Sequence, residues 1–174
     1  MLSLTGDKIK LRALEAEDLN FLYELENNPD IWEISGTITP YSKHVLKLYL
    51  ENAYRDIYEV KQLRLCICTK DEETVGLIDL FDFDPKNRRA GIGIVVLEAE
   101  YRNQGIGREA IELVCKYAFT VLNIRQLYAN VGEENSASLH LFKKIGFEIV
   151  GVKKDWILSG GNFKNEVLLQ KINN

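Results

Sequence analysis

The sequence predicts a mixed α/β fold of the α+β type, in which a mostly antiparallel sheet of six to seven strands is flanked by about four helices. Seven segments alternate polar and apolar residues or form short apolar runs, as strands do. Four others place apolar residues three or four apart, the spacing of an amphipathic helix. Because the chain has 174 residues, 46% hydrophobic and 28% charged, we expect one domain over residues 1–174.

The amino-terminal part is predicted to be mostly helical. Residues 8–12 alternate as a strand, and residues 15–27 show helical spacing. The Asn-Asn-Pro-Asp run at 27–30 is expected to break that helix, and residues 31–40 to form an irregular loop over a site. Ser42 is then the expected N-cap of a second helix that extends to about residue 54.

The middle of the chain changes to a period of two residues. Residues 63–68 and 74–83 flank a charged turn and predict a hairpin, and residues 89–97 add a third antiparallel strand. A helix over residues 109–119 and a strand over residues 126–131 follow. The helix is a crossover connection, so the new strand is expected beside its predecessor and parallel to it.

The carboxyl-terminal part is predicted to hold one short helix and a closing hairpin. The helix begins near Asn135 and stops at Gly146. Residues 147–158 and 163–172 are the two strands, joined around the Ser-Gly-Gly-Asn run at 159–162.

A glycine-rich turn at residues 101–108 lies between the apolar run at 92–97 and the helix at 109–119. Backbone N–H groups at a helix start have no partner within the helix, and the helix dipole adds partial positive charge there. Glycines without a Cβ let a phosphate approach the main chain. The turn therefore predicts a pyrophosphate site, although an ordinary tight turn has the same local pattern. Its candidate binding residues are Arg102, Asn103, Gln104, Gly105, Ile106, Gly107 and Arg108.

Charge and composition exclude several classes of function. The net charge of -4 argues against non-specific nucleic-acid binding and suits a small cationic partner. No window approaches the roughly 20 apolar residues of a membrane span, and the first residues lack a signal-like apolar core, so we expect a cytoplasmic protein without a membrane partner. Cys66, Cys68 and Cys115 lie in apolar contexts without metal-site spacing, so no metal is expected.

Taken together, the order of these features resembles the GNAT superfamily of N-acetyltransferases. The acetyl-CoA loop of that family has Arg or Gln, two residues, Gly, one residue and Gly or Ala, as residues 102–107 have here. Residues 135–147 look like the family's helix that ends in Gly-Phe. Residues 160–169 are similar to the hairpin of the subgroup with spermidine and ribosomal-protein N-terminal acetyltransferases. Features most like the spermidine enzymes are residues 118–123, residues 88–90, and Asn28 followed by Trp32.

The resemblance implies direct transfer of an acetyl group from acetyl-CoA to an amine, with positioning as a main source of catalysis. The strand end at Val95 and Leu97 is expected to pair with the pantetheine amides. A backbone N–H there, assigned to Val96, would polarise the thioester carbonyl. Asn135 is expected along the pantetheine arm, and a helix N-cap is an equally good interpretation of it.

One position departs from the family. Where many members have a tyrosine that protonates the departing CoA thiolate, this chain has Phe142, which has no proton to donate. Tyr101 and Tyr128 are substitutes to consider, although each fits packing at least as well. General acid catalysis typically contributes roughly 10²–10⁴-fold, so activity without it would be lower but not abolished.

The amine that accepts the acetyl group is protonated near neutral pH and must lose a proton before it can attack. A carboxylate near the thioester would assist this loss. The expected carboxylates are Asp79, as a catalytic and substrate-binding residue, with Asp82 and Glu33 as substrate-binding residues. The resemblance to spermidine acetyltransferases supports Asp79 and Glu33. Solvent-facing acids at strand ends are the alternative interpretation.

Four functions remain open at this point. The favoured one is an acetyl-CoA-dependent enzyme for a small polyamine such as spermidine. The others are an N-terminal protein acetyltransferase with an open peptide groove, a catalytically silent acetyl-CoA-binding module, and a different α/β domain whose glycine turn binds nothing. The resemblance also favours a homo-oligomer.

Overall fold

The computed structural model describes residues 3–174, which form one seven-stranded sheet with helices packed on both faces. The strands are β1 (Ile9–Arg12), β2 (Leu63–Thr69), β3 (Thr74–Asp84), β4 (Arg89–Val96), β5 (Gln126–Gly132), β6 (Glu148–Ser159) and β7 (Asn162–Ile172). The helices are α1 (Leu19–Glu26), α2 (Pro29–Ser35), α3 (Lys43–Glu51), α4 (Ile57–Val60), α5 (Ile106–Thr120) and α6 (Ser136–Lys144). Two 3₁₀ turns at Ala16–Asp18 and Ala99–Tyr101 precede α1 and α5.

The strand order is β1-β2-β3-β4-β5-β7-β6, and every neighbouring pair is antiparallel except β4 and β5. The predicted meander of β2, β3 and β4 and the parallel crossover to β5 are therefore confirmed. The closing hairpin of β6 and β7 is also confirmed. Its order in the sheet was not predicted: β7 lies beside β5, which leaves β6 at the edge.

The two faces of the sheet have separate cores. On one face α5 and α6 pack on the sheet, and the fully buried Ile111 and Leu127 lie in that core. On the other face α1, α2 and α3 cover Cys66 and Cys68. Full burial of an aliphatic side chain such as that of Ile111 or Leu127 stabilises the fold by roughly 2 kcal/mol. Burial raises the pKa of the Cys66 thiol to about 12, so it stays protonated and packs as an apolar group.

Residues 3–174 contain six α-helices rather than the predicted four or so, because two short helices were not predicted. The first, α2, replaces the first part of the loop expected at residues 31–40. The Asn28 side chain accepts a hydrogen bond from the Asp30 N–H, and Pro29 occupies the first helical position, so this run starts a helix as well as ending α1. The second, α4, is a single turn that Asp56 caps.

None of the helices within residues 3–174 is both long enough and apolar enough to cross a bilayer.

Candidate active site

The sheet opens where β4 and β5 separate. These parallel strands pair only from Arg89 with Gln126 to Gly91 with Tyr128. Beyond that point β4 continues to Val96 along β3, while β5 continues to Gly132 along β7. The facing edges of both strands therefore border a wedge that lies at the carboxyl end of β4, directly before the glycine turn.

The backbone of Val96 presents its polar groups to this opened edge. The N–H of Leu97 bonds to the Val75 carbonyl on the β3 side, at 3.0 Å. Because successive N–H groups along a strand point to opposite sides, the N–H of Val96 points away from β3. The Val96 carbonyl accepts from the Arg102 guanidinium at 3.3 Å, which ties the glycine turn to the strand end.

The glycine turn has the geometry of an anion cradle. Gly105 is the N-cap of the 15-residue α5 with φ at +82°, and Asn103 is also left-handed at +59°. A Cβ on Gly107 would lie 3.4 Å from Leu141, which is ordinary contact, so Gly105 is the position whose backbone conformation requires glycine. The unpaired N–H groups of the first α5 turn suit a pyrophosphate. The residues therefore fit the phosphate part of acetyl-CoA.

Side chains in the first turn of α5 contribute differently from its backbone. Ile106 is buried in the core, so only its main chain is available to a ligand. The Arg108 guanidinium donates to Glu112 on the helix surface at 2.8 Å. Asn135 caps α6 by accepting from the Ser138 N–H at 3.2 Å, and it also lines the cavity described next. Both interpretations of Asn135 are thus compatible with the structure.

A cavity of about 1120 Å³ extends from the opened edge of β4 and β5 to α2 and the β6–β7 hairpin. Val95 and Asn135 are among the residues that line it. Seven carboxylate side chains line it against two cationic ones, Arg64 and Lys164. Clefts lined by one sign of charge attract ligands of the other sign, so this cavity suits a cation.

Asp79 lies in the cavity wall and is held by the half-buried Arg64. Arg64 donates from Nε to Asp79 Oδ1 at 2.8 Å and from Nη2 to Oδ2 at 2.9 Å. Its third nitrogen donates to Glu26 at 3.0 Å. Burial opposes the charge of Arg64, yet the bidentate bond to Asp79 raises the pKa of this guanidinium above its ordinary value. One cation thus fixes two carboxylates, which leaves this cluster with a net negative charge.

Glu33 lies at the mouth of the same cavity. Ser159 donates to it at 2.6 Å and the Lys164 ammonium at 3.0 Å, so the bonds join α2 to the β6–β7 hairpin. The Ser159 hydroxyl, with a further contribution from Lys164, lowers the pKa of the Glu33 carboxyl. Glu134 is the second carboxylate of Lys164, at 3.2 Å.

Asp82 is placed away from this cavity. It is exposed, left-handed with φ at +49°, and lies where the β3–β4 register shifts between Phe81 and Asp84. The structure therefore brings Asp79 and Glu33 to one cavity but not Asp82. A bulge turns a side chain out of the alternation that the sequence pattern assumes.

Phe142 lines the cavity from α6 and packs edge-on against Phe147, with ring centroids 5.1 Å apart. Neither substitute tyrosine lines it. Tyr101 donates to Glu73 at 2.5 Å, which raises the pKa of its phenol to about 12. Tyr128 packs against Phe81 at the base of the wedge, where burial raises the pKa of its phenol.

Sequence reasoning missed Arg64, Glu26 and Lys164 as residues of the cavity. One signal was present: Arg64 is a charged residue inside the apolar run of β2, and such a side chain needs a partner when it is buried. Lys164 gave no such signal, since lysines are common in exposed hairpins. Within residues 3–174 no group of three His, Cys, Asp or Glu side chains is arranged to hold a metal ion.

Comparisons with known proteins agree with this geometry. Residues 8–148 match the acetyltransferase (GNAT) domain family. The chain is 29% identical over 173 residues to the spermidine N(1)-acetyltransferase of Escherichia coli K12, covering 94% of this chain and 85% of that protein. Its fold matches the spermidine N-acetyltransferase of Vibrio cholerae, solved with CoA and spermine, with a TM-score of 0.86, 24% identity and 96% of each chain covered. A dodecameric structure of the Vibrio enzyme in an intermediate state matches with a TM-score of 0.79 and 25% identity, covering 96% of this chain and 95% of that one.

The family match covers most of the chain, including β1 to β5, the glycine turn and the Gly-Phe end of α6. The predicted mixed fold and the predicted acetyltransferase class are confirmed. The chain belongs to the acetyltransferase (GNAT) domain family and is an N-acetyltransferase that uses acetyl-CoA.

Proposed function

We propose that this enzyme transfers the acetyl group of acetyl-CoA to a primary amine of a small polycation, such as spermidine. The observation that carries the proposal is the cavity at the opened edge of β4, whose wall has seven carboxylates and two cationic side chains. A polyamine carries several ammonium groups near neutral pH, so such a cavity selects it electrostatically. The names of the Escherichia and Vibrio relatives support the same class of acceptor.

On the donor side, the proposed binding groups are the N–H groups of residues 104–108 for the pyrophosphate and Asn135 for the pantetheine arm. The Leu97 N–H bonds to Val75, and the backbone of Val95 points the same way, so these two residues are proposed to contact the arm through their side chains rather than by amide pairing. The N–H of Val96 is proposed to donate to the thioester carbonyl, because it points to the opened edge. As the amine nitrogen attacks the thioester carbon, the carbon–sulfur bond breaks and the thiolate leaves. The ammonium proton must be lost first, since its ordinary pKa is about 10.4.

On the acceptor side, Asp79 is proposed to receive the reacting ammonium and assist its deprotonation, and Glu33 to hold a second ammonium. Arg64 occupies one position on each oxygen of Asp79. An ionised carboxylate has about four lone-pair positions, so Asp79 retains acceptor capacity toward the cavity. Arg64 is therefore proposed to orient Asp79 rather than to compete with the substrate.

Specific observations bear on two alternative functions, an N-terminal protein acetyltransferase and a catalytically silent module. An N-terminal protein acetyltransferase needs an open groove, whereas the bonds of Glu33 to Ser159 and Lys164 bridge the two sides of the cavity mouth. Phe142, which offers no proton to the leaving thiolate, is the observation that supports a catalytically silent module, and the acetyltransferase (GNAT) family match weighs against it.

Thiol release from acetyl-CoA with spermidine, spermine, an N-terminal peptide or no acceptor tests the proposal. We expect turnover with the polyamines well above the acceptor-free rate. Turnover with the peptide alone would overturn the polyamine proposal. CoA binding without turnover on a panel of amines would establish the silent module.

We also propose that the chain forms a homo-oligomer through the exposed edge of the sheet. Among residues 3–174, no strand lies on the outer side of β6, and β6 exposes apolar side chains, including Val150 at 55% and Leu158 at 65%. Exposed apolar edges associate readily, and the Vibrio relative is dodecameric in one structure. Light scattering of Val150→Lys is expected to show a smaller particle than the wild-type protein; an unchanged mass would contradict this interface.

A further inference from the structure

The segment that precedes β1 is tied to the first turn of α5. The Glu109 carboxylate accepts hydrogen bonds from the backbone N–H groups of Asp7 at 2.6 Å, Lys8 at 2.9 Å and Ile9 at 3.0 Å. Successive N–H groups that converge on one anion form a compact nest. The nest joins the edge strand of the sheet to a helix about a hundred residues later in the chain.

Lys8 extends this connection to the glycine turn. Its ammonium donates to the Gln104 carbonyl at 2.6 Å, and it lies 3.1 Å from the place that a Cβ on Gly105 would occupy. Gln104 is exposed, and both Asn103 and Gly105 are left-handed, so neither burial nor regular structure holds this turn. The bond from Lys8 adds to the bonds of Arg102 with the carbonyls of Val96 and Leu97, and it joins the turn to the segment before β1.

The charge of Glu109 makes this arrangement relevant to the donor. A carboxylate in the first turn of a helix interacts favourably with the helix dipole. The same charge, if free, would repel a pyrophosphate bound at that helix start. Here the nest of three N–H groups satisfies the carboxylate, and the Lys8 ammonium adds positive charge beside the turn.

We propose that Glu109 is a positioning residue for binding of the acetyl donor. It anchors residues 7–9 to α5, and the anchored Lys8 holds the Gln104 carbonyl so that the following N–H groups face the pyrophosphate. Neither side chain needs to touch the donor. The inference concerns the donor side alone and does not depend on which amine accepts the acetyl group.

Calorimetric binding of CoA and of pantetheine, which lacks the phosphates, to Glu109→Ala and Lys8→Met tests the proposal. We expect the Kd for CoA to rise about 10-fold in Glu109→Ala and about threefold in Lys8→Met, while the Kd for pantetheine stays within about twofold. The KM for acetyl-CoA should rise by the same factors with kcat and the acceptor KM unchanged. A merely structural loosening would weaken both ligands and lower kcat.

Lys10→Met is the matched control, because Lys10 lies two residues further along the chain, in β1, and pairs with Glu72 instead. Its affinity for CoA should equal that of the wild-type protein, and Lys8→Arg should restore most of the loss. Unchanged CoA affinity in both test variants, or equal weakening of CoA and pantetheine, would overturn the proposal. If Glu109→Ala does not fold, Lys8→Met decides alone, since Lys8 is exposed and its ammonium contacts the turn rather than the core.

Discussion

The donor side and the acceptor side of this enzyme are built differently. The proposed donor site consists of main-chain groups of neighbouring residues, between the end of β4 and the N-cap of α5 at Gly105. The proposed acceptor site consists of side chains that meet from distant segments: Lys164 bonds to Glu33 across 131 residues of chain. A backbone site depends on φ and close approach, whereas a side-chain site depends on which charges pair. The two halves should therefore respond to different substitutions.

The largest effect is expected on the donor side, from Gly105→Val. A β-branched residue is strained at φ +82°, and its Cβ would lie 3.1 Å from the Lys8 ammonium. Strain of this kind costs about 1–3 kcal/mol, and the loss of close approach to the phosphate adds to it, so CoA affinity should fall about 100-fold by calorimetry. Gly161→Val is the matched control, since Gly161 has φ +80° but open space around it. CoA affinity equal to that of the wild-type protein in Gly105→Val would contradict the assignment of this turn as the phosphate site.

The next effect is expected on the acceptor side, from Arg64→Met. The variant leaves Asp79 and Glu26 without the cation that both of them bind. Because the pairs keep some solvent exposure, the free energy of unfolding should fall by roughly 2 kcal/mol, below the range for fully buried pairs. Urea unfolding measures this, and CoA affinity should stay unchanged. A stability equal to that of the wild-type protein would contradict the assigned role of Arg64.

A third prediction concerns the point where the two sides meet. Phe142→Tyr should raise kcat about 10-fold, because a phenol in the cavity wall can protonate the departing thiolate. Phe147→Tyr, on its packing partner outside the cavity lining, is the control and should not raise kcat. An unchanged kcat in folded Phe142→Tyr would mean that another group already supplies the proton or that product release limits the rate.

The smallest effect is expected from Lys164→Met. The Lys164 ammonium lies between Glu33 and Glu134, and these bonds raise its pKa, so it stays charged. Solvent screens exposed pairs of this kind and makes them weak, so a substrate ammonium can replace Lys164. Removing it should lower the KM for spermine about threefold through the more negative cavity.

Lys154→Met, an exposed lysine on the same hairpin, controls for net charge and should leave the KM for spermine unchanged. A higher KM in Lys164→Met would instead mean that the bond to Glu33 mainly closes the cavity mouth. Both measurements use initial rates at saturating acetyl-CoA.

The sequence by itself determined the strands and helices of the central fold and the donor turn. Alternation in residues 89–97 predicts β4, and the glycines at 105 and 107 predict a close approach at a helix start. Ser42 and Asn135 both cap the helices they were expected to start. These features follow from dihedral preferences and hydrogen bonds within a few residues, so the local sequence is enough to specify them.

Only the tertiary structure decided how the acceptor side is assembled. In the folded protein, β7 lies between β5 and β6, and Arg64 bonds to both Asp79 and Glu26. Lys164 bonds to Glu33, and a register shift between β3 and β4 leaves Asp82 outside the cavity. The fold also joins Glu109 to residues 7–9. Pairings between distant segments depend on the packing of the whole sheet and on which partners remain near each buried charge, and no local pattern of residues contains that information.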